Sequence, residues 1–212
     1  MGSLDDATSD NSLQETTLAT IRSVSGDWDN ASVSVVPKLS AYTSNSTFIA
    51  PAGCTSVKVQ CWGGGGSAGM SDDDWDGYFR NDVGKGGGGG AYSLKLVSVS
   101  ATGQTFNVTV AGAGGTSSFI GGGVNMSAGG GSNGQGHGIS NSQGAGGTAS
   151  GGDVNISGGG GTQGGAGGGG APFGGAGGPI GCAGSFPGGG GGCNMYDEAG
   201  RAGAAGFIIV EW

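Results

Sequence analysis

Read from its amino-terminal end, the chain changes its hydrophobic rhythm near residue 46. Before that point Leu13, Thr17, Ile21 and Val24 recur at helical spacing behind Ser12-Leu13-Gln14-Glu15, a capping-box pattern, so one short helix is expected there. Its apolar stripe is too brief to hold in water alone, which calls for docking on the body or on copies of itself. After that point the period is two. Ser46-Thr47-Phe48-Ile49-Ala50-Pro51 and Ser56-Val57-Lys58-Val59-Gln60-Cys61-Trp62 alternate, and Val57, Val59 and Cys61 share one face. The runs 91–99 and 104–110 alternate about Ala101-Thr102-Gly103 and predict a hairpin, with Phe106, Val108 and Val110 inward. The terminal Gly206-Phe207-Ile208-Ile209-Val210-Glu211-Trp212 has the β-branched enrichment of a buried strand and is expected at the centre of a sheet.

Two further short strands are written as a repeat. Val124-Asn125-Met126-Ser127 leads into glycine, and about thirty residues later Val154-Asn155-Ile156-Ser157 does the same, as one supersecondary unit used twice. The pattern therefore predicts an all-β, sandwich-like domain over residues 46–212, preceded by a polar attachment segment, residues 1–45, that holds the helix.

Composition changes the picture in one respect: 57 of the 212 residues are glycine. Flexible linker is the usual meaning of such tracts, but here they are woven between strands that must meet to bury their faces. Collagen is excluded, because no Gly-X-Y register persists and there are only 5 prolines. The remaining reading is an extended polyglycine II helix of three residues per turn, packed in bundles and bonded backbone to backbone. Such bonding offsets the large entropy cost of ordering glycine.

Charge narrows the partners. A net charge of −8 with only 10% charged residues offers no basic stripe for nucleic acid. No run is long and apolar enough for a membrane-spanning helix, and the acidic start of the chain does not resemble a secretory signal. Cys54, Cys61, Cys182 and Cys193 lack the paired spacing of a zinc site; Cys182 and Cys193 are either free or bridged across a glycine loop.

Catalytic motifs fail one by one. Gly84-Lys85-Gly86 lacks the hydroxyl residue of a phosphate loop, the sole histidine, His137, stands in a glycine loop, and no serine lies in a Gly-x-Ser-x-Gly elbow. The expectation is a binding protein, not an enzyme, with no cofactor. The richest segment is Met70-Ser71-Asp72-Asp73-Asp74-Trp75-Asp76-Gly77-Tyr78-Phe79-Arg80-Asn81-Asp82-Val83. Asp72, Asp74, Asp76 and Gly77 match the front of a calcium-binding EF-hand loop, but Val83 stands where the bidentate Glu belongs. The alternatives are a recognition loop, in which Asp74, Trp75, Asp76, Tyr78, Phe79 and Arg80 make contact, or a solvated loop folded back on the domain. Phe173, Phe186 and Tyr196 interrupt other glycine stretches and either cap the bundle or touch a target.

From Thr47-Phe48-Ile49-Ala50-Pro51 through Val57-Lys58-Val59-Gln60-Cys61-Trp62-Gly63-Gly64-Gly65-Gly66, the chain resembles the glycine-rich domain at the end of many bacteriophage and prophage tail fibres. Gly87-Gly88-Gly89-Gly90-Ala91-Tyr92, Thr116-Ser117-Ser118-Phe119, the two Val-Asn-x-Ser units and the terminal strand extend the resemblance over residues 46–212. The chain is also similar to the adhesins of T-even-type phages, from which its β content departs. The resemblance implies a virion protein at a tail tip, assembled in the host cytoplasm and working outside it. Its implied partners are a bacterial outer-surface glycan or outer-membrane protein, other tail-fibre subunits and further copies of itself. A self-assembling filament or matrix subunit and an ice-binding protein stay open as other uses of such a framework.

Overall fold

The computed structural model describes residues 38–70, 84–136, 142–162, 167–194 and 199–212; the expected helix near residue 13 lies outside them. The compact unit described begins at Lys38. It is built on ten strands: β1 (Leu39–Tyr42), β2 (Ser46–Ile49), β3 (Ser56–Trp62), β4 (Tyr92–Ser98), β5 (Thr105–Thr109), β6 (Ser117–Gly121), β7 (Val124–Ala128), β8 (Ala149–Ser150), β9 (Val154–Ile156) and β10 (Phe207–Glu211). They form two five-stranded sheets, one in the order β1-β10-β3-β4-β9 and the other β2-β5-β6-β7-β8. Every neighbouring pair is antiparallel.

Alternation decides which side chains meet between the sheets. Val57, Val59 and Cys61 of β3, Val97 of β4, and Ile208 and Val210 of β10 are buried from the first sheet. Phe48, Phe106, Val108, Phe119 and Met126 are buried from the second. Phe106 and Phe119 stack with centroids 4.8 Å apart, and Phe48 tilts against Trp212 at 5.3 Å. Each large side chain so enclosed contributes about 1.5–3 kcal/mol, and together they supply the anchorage that glycine cannot.

The predicted hairpin is not formed. β4 pairs with β3 and β9, whereas β5 pairs with β2 and β6, so residues 99–104 cross from one sheet to the other. Alternation reports only which side of a strand is apolar. Two strands that face each other across a core read the same as two that lie side by side. The hairpin that does form joins β6 to β7 through Gly122-Gly123, both with positive φ (55° and 82°), as a tight turn matched to strand twist requires. The terminal strand is interior, flanked by β1 and β3, although the middle position belongs to β3. The repeated units become β7 and β9, in different sheets, and each leads into a glycine tract.

The tracts are polyglycine II helices, and their hydrogen bonds prove the period. Along segment 84–91, the N–H groups of Lys85, Gly88 and Ala91 reach Gln135, Ser132 and Gly129. Those of Gly86 and Gly89 reach Thr162 and Gly159, and those of Gly87 and Gly90 reach Gly191 and Gly188. Every third residue thus addresses the same neighbour, as three residues per turn demands. The carbonyls turn to three other segments: Gly69, Gly66 and Gly63 donate to Lys85, Gly88 and Ala91, Gly144 and Gly147 donate to Gly86 and Gly89, and Gly169 donates to Gly87. Segment 84–91 is the centre of a hexagonal packing of six surrounding chains. A Cβ on Gly88 would run into the Ala145 carbonyl oxygen, and one on Gly87 into that of Gly66. Glycine is required here because the neighbouring backbones occupy the space.

Candidate functional site

The direction of each tract follows from the same bonds. Partners whose residue numbers fall as the other's rise are antiparallel, so 84–91 opposes 63–69, 129–136, 157–162 and 188–193 and runs along with 142–148 and 167–171. The bundle is therefore an up-and-down array. It is rooted where β3 and β7 run out into glycine and where β4 and β10 begin.

This alternation sorts the turns onto two ends. At the end away from the sheets, Gly69 N–H bonds Lys85 O (2.9 Å), Lys85 N–H bonds Gln135 O (3.1 Å) and Gln135 N–H bonds Ser142 O (3.1 Å). Thr162 N–H bonds Gly167 O (2.9 Å), Ala68 N–H bonds Arg201 O (3.0 Å), and Arg201 N–H bonds Gly192 O (3.1 Å). The bases of segments 71–83, 137–141, 163–166 and 195–198 are thus gathered by main-chain bonds. The described turn at Pro179-Ile180-Gly181 joins them through Gly181 N–H to Cys193 O (2.7 Å). Arg201 adds its Nε to the Gly181 carbonyl at 3.1 Å.

The predicted contact residues Asp74, Trp75, Asp76, Tyr78, Phe79, Arg80 and Tyr196 lie outside the described residues, as do the calcium candidates Asp72, Asp74 and Asp76. Their segments are tethered at the sheet-distal end. Of the 15 acidic residues, only Asp153 and Glu211 fall among the described ones. The others belong to residues 1–37 and to two of the segments tethered there, 71–83 and 195–198. Among the described residues no cluster of His, Cys, Asp and Glu is arranged to hold a metal ion. No helix among them is long and apolar enough to cross a membrane.

Phe173 and Phe186 stand at the opposite, sheet-proximal turns, apart from the distal bases. The structure links them to each other through a continuous row of rings. Phe186 meets Phe207 edge-on (5.2 Å), Phe207 meets Trp62 (5.9 Å), Trp62 meets Tyr92 (5.0 Å), and Tyr92 meets Phe173 edge-on (5.1 Å). Trp62 and Tyr92 are buried, whereas Phe173 is 77% and Phe186 52% exposed. Trp62 Nε1 donates to Pro172 O at 2.9 Å and ties the Phe173 turn to β3.

Beneath this row, Lys58 and Gln60 of β3 and Glu211 of β10 form a bonded polar strip with Tyr92, flanked by the outward Leu94 and Leu96 of β4 and Ile209 of β10. Tyr92 Oη donates to Gln60 Oε1 (2.9 Å), Gln60 Nε2 donates to Glu211 Oε1 (3.0 Å), and Lys58 Nζ pairs with Glu211 Oε2 at 3.2 Å. Burial, then the nearby Cys61 and Glu211, raise the Tyr92 phenol above its usual range, which keeps it a neutral donor. Sequence reading missed Trp62, Tyr92, Gln60, Lys58 and Glu211 as a group. The available signal was that every outward position of Lys58-Val59-Gln60-Cys61-Trp62 is large.

All four cysteines are free: Cys61 and Cys193 are buried and Cys182 is exposed. Burial pushes the Cys61 thiol up to about 12.

Comparison with known families supports the glycine-rich framework. Residues 40–123 are similar to a family described as a glycine-rich domain, whose model matches over that range. The match covers β1 apart from Leu39, β2 to β6, two polyglycine segments and the Gly122-Gly123 turn, which is less than half of the chain. No curated protein matches the sequence.

Proposed function

We propose that this chain is the tip module of a bacteriophage tail fibre, a non-catalytic adhesin that attaches the virion to a bacterial surface. The observation that supports it is the gathering of the bases of five connecting segments at one end of a rigid polyglycine bundle. A scaffold held by main-chain bonds leaves its turns free to carry bulky residues, and binding residues concentrate on such turns. The segment 71–83 brings Trp75, Tyr78 and Phe79 as rigid contact area, with Asp74, Asp76 and Arg80 setting specificity. The receptor in this reading is an outer-surface glycan or an outer-membrane protein. The polar segment that precedes β1 connects the module to other fibre subunits, and copies of the chain associate in the virion.

Binding of fluorescently labelled protein to bacterial cells tests the proposal, with Trp75→Ala, Tyr78→Ala and Phe79→Ala compared with wild type. Loss of adhesion by the triple variant is the expected result, and a chelator arm checks whether Asp72, Asp74 and Asp76 act through calcium. Adhesion unchanged by the triple variant sinks the assignment of the contact to this segment. Purified protein that grows into fibres while ignoring cells would replace an adhesin with a filament subunit.

A further inference from the structure

We infer that the outward face of the sheet β1-β10-β3-β4-β9 is a binding platform for a neutral glycan chain, walled by Phe173 and Phe186 and floored by Gln60, Glu211 and Lys58. The site is separate from the distal segments and does not depend on the virion assignment.

The wall is the first observation. Phe173 is the one non-glycine residue with positive φ (51°) among those described, and its ring is 77% exposed. A bulky residue held in that region costs about 1–3 kcal/mol, and burial of an exposed ring returns little of it. Glycine or asparagine would make the same turn without strain. The turn itself does not require a phenyl ring, which the edge-on contact with Tyr92 holds in place.

The floor is the second observation. Lys58 and Glu211 are register partners and Gln60 stands beside them on β3, flanked by the outward Leu94 and Ile209, the three strands spanning about 10 Å at the ordinary strand spacing. Their mutual hydrogen bonds fix each group before any ligand arrives. Capacity is left over: Lys58 has three N–H groups and bonds only Glu211, and Glu211 Oε2 has a lone pair to spare. Fixed donors and acceptors side by side match the neighbouring hydroxyls of a sugar ring. The aliphatic C–H face of the same ring packs on an aromatic face, whose quadrupole is negative. A lipid or an apolar peptide would instead desolvate the Lys58–Glu211 pair without replacing its water. Because those two charges cancel, an uncharged glycan fits better than an acidic one.

The experiment uses the full chain against an array of neutral oligosaccharides (maltohexaose, cellohexaose, chitohexaose and mannohexaose), with titration calorimetry on those retained. Wild-type protein is expected to bind at least one, with affinity reduced about tenfold or more by Phe173→Ala, Phe186→Ala or Gln60→Ala. Phe173→Asn removes the ring but tolerates the left-handed backbone, so it answers the question even where the alanine variant folds poorly. The Trp75→Ala, Tyr78→Ala, Phe79→Ala variant should bind the oligosaccharides normally, which separates this site from cell adhesion. Three outcomes overturn the inference: no binding to any probe, binding indifferent to Phe173→Asn, or a wild-type dimer in sedimentation that Phe173→Asn dissociates. The last would mean that a second copy covers the face.

Discussion

Replacing Gly88 by alanine is the most direct trial of the hexagonal bundle. Gly88 sits at the middle of the central segment, its N–H on Ser132 O (2.9 Å) and its carbonyl receiving Gly66 N–H (2.8 Å). The added methyl meets Ala145 O, a backbone atom with no rotamer to yield. Segment 142–148 must move, which endangers the bonds from Gly144 to Gly86 and from Gly147 to Gly89, both 2.9 Å. Overpacking costs about 1–3 kcal/mol, and a buried main-chain group left without a partner costs about 1–3 kcal/mol more. The expected loss is about 2–6 kcal/mol, a fall in Tm of roughly 10 °C for a domain of this size. Gly160→Ala is the control. That glycine lies in the same kind of helix, but a methyl there finds nothing nearer than Gln143 Nε2 and Gly144 O, both at 3.6 Å. The entropic gain of about 0.4–1 kcal/mol from stiffening the unfolded chain is common to both variants, so their difference isolates the lattice. Urea unfolding followed by tryptophan fluorescence measures it. Equal midpoints for the two variants would refute the close packing of segment 84–91.

Three other outcomes follow from the same structure. In native protein at pH 8, a thiol reagent should label Cys182 rapidly and leave Cys61 and Cys193 untouched, as mass spectrometry of the digested product would show; labelling of Cys61 at a similar rate would contradict its enclosure and its raised pKa. Asp153 accepts Leu96 N–H and Lys95 Nζ, which hold its carboxyl below the usual 3.8. Its contribution is therefore present above that value and lost as pH falls toward the lower folded-state one, so the protection of the Leu96 amide, measured against its intrinsic exchange rate, should fall on acidification below about pH 4 in wild type and stay constant in Asp153→Asn. Phe119→Ala should cost about 3–5 kcal/mol in denaturant unfolding through loss of its contacts with Phe106 and Phe48, whereas Ile120→Ala, on the half-exposed outer face, should cost under about 1 kcal/mol.

The legible part of the fold was the part with side chains. Val57-Lys58-Val59-Gln60-Cys61 announces its own inner face, whereas the glycine tracts leave packed helices and short strands as alternatives that only the main-chain bonds decide. Lateral pairing was hidden: Val97 and Phe106 point into one core from opposite sheets, and a period of two is blind to that difference. The Gly122-Gly123 turn was written in the chain between Phe119-Ile120 and Val124-Asn125 but is camouflaged by glycine on every side. The site was less legible still. Phe173 and Phe186 stand out against glycine, yet what joins them is Tyr92, Trp62 and Phe207, brought together by pairings 30 and more residues apart. The gathering of the distal bases depends on which tract runs which way, and glycine carries no mark of direction.

A helix in which every third N–H serves the same neighbour has a quantum of length. Adding or removing one residue within 86–90 would swing all later donors by about 120°, so that each would address the wrong chain. A change of three would restore the bearing and lengthen the strut by about 9 Å. Turns obey no such rule, because nothing beyond their bases is counted. Evolution of this architecture should therefore be lopsided: caps free to vary in length and content, and struts growing or shrinking only in triplets, together with the partners alongside them.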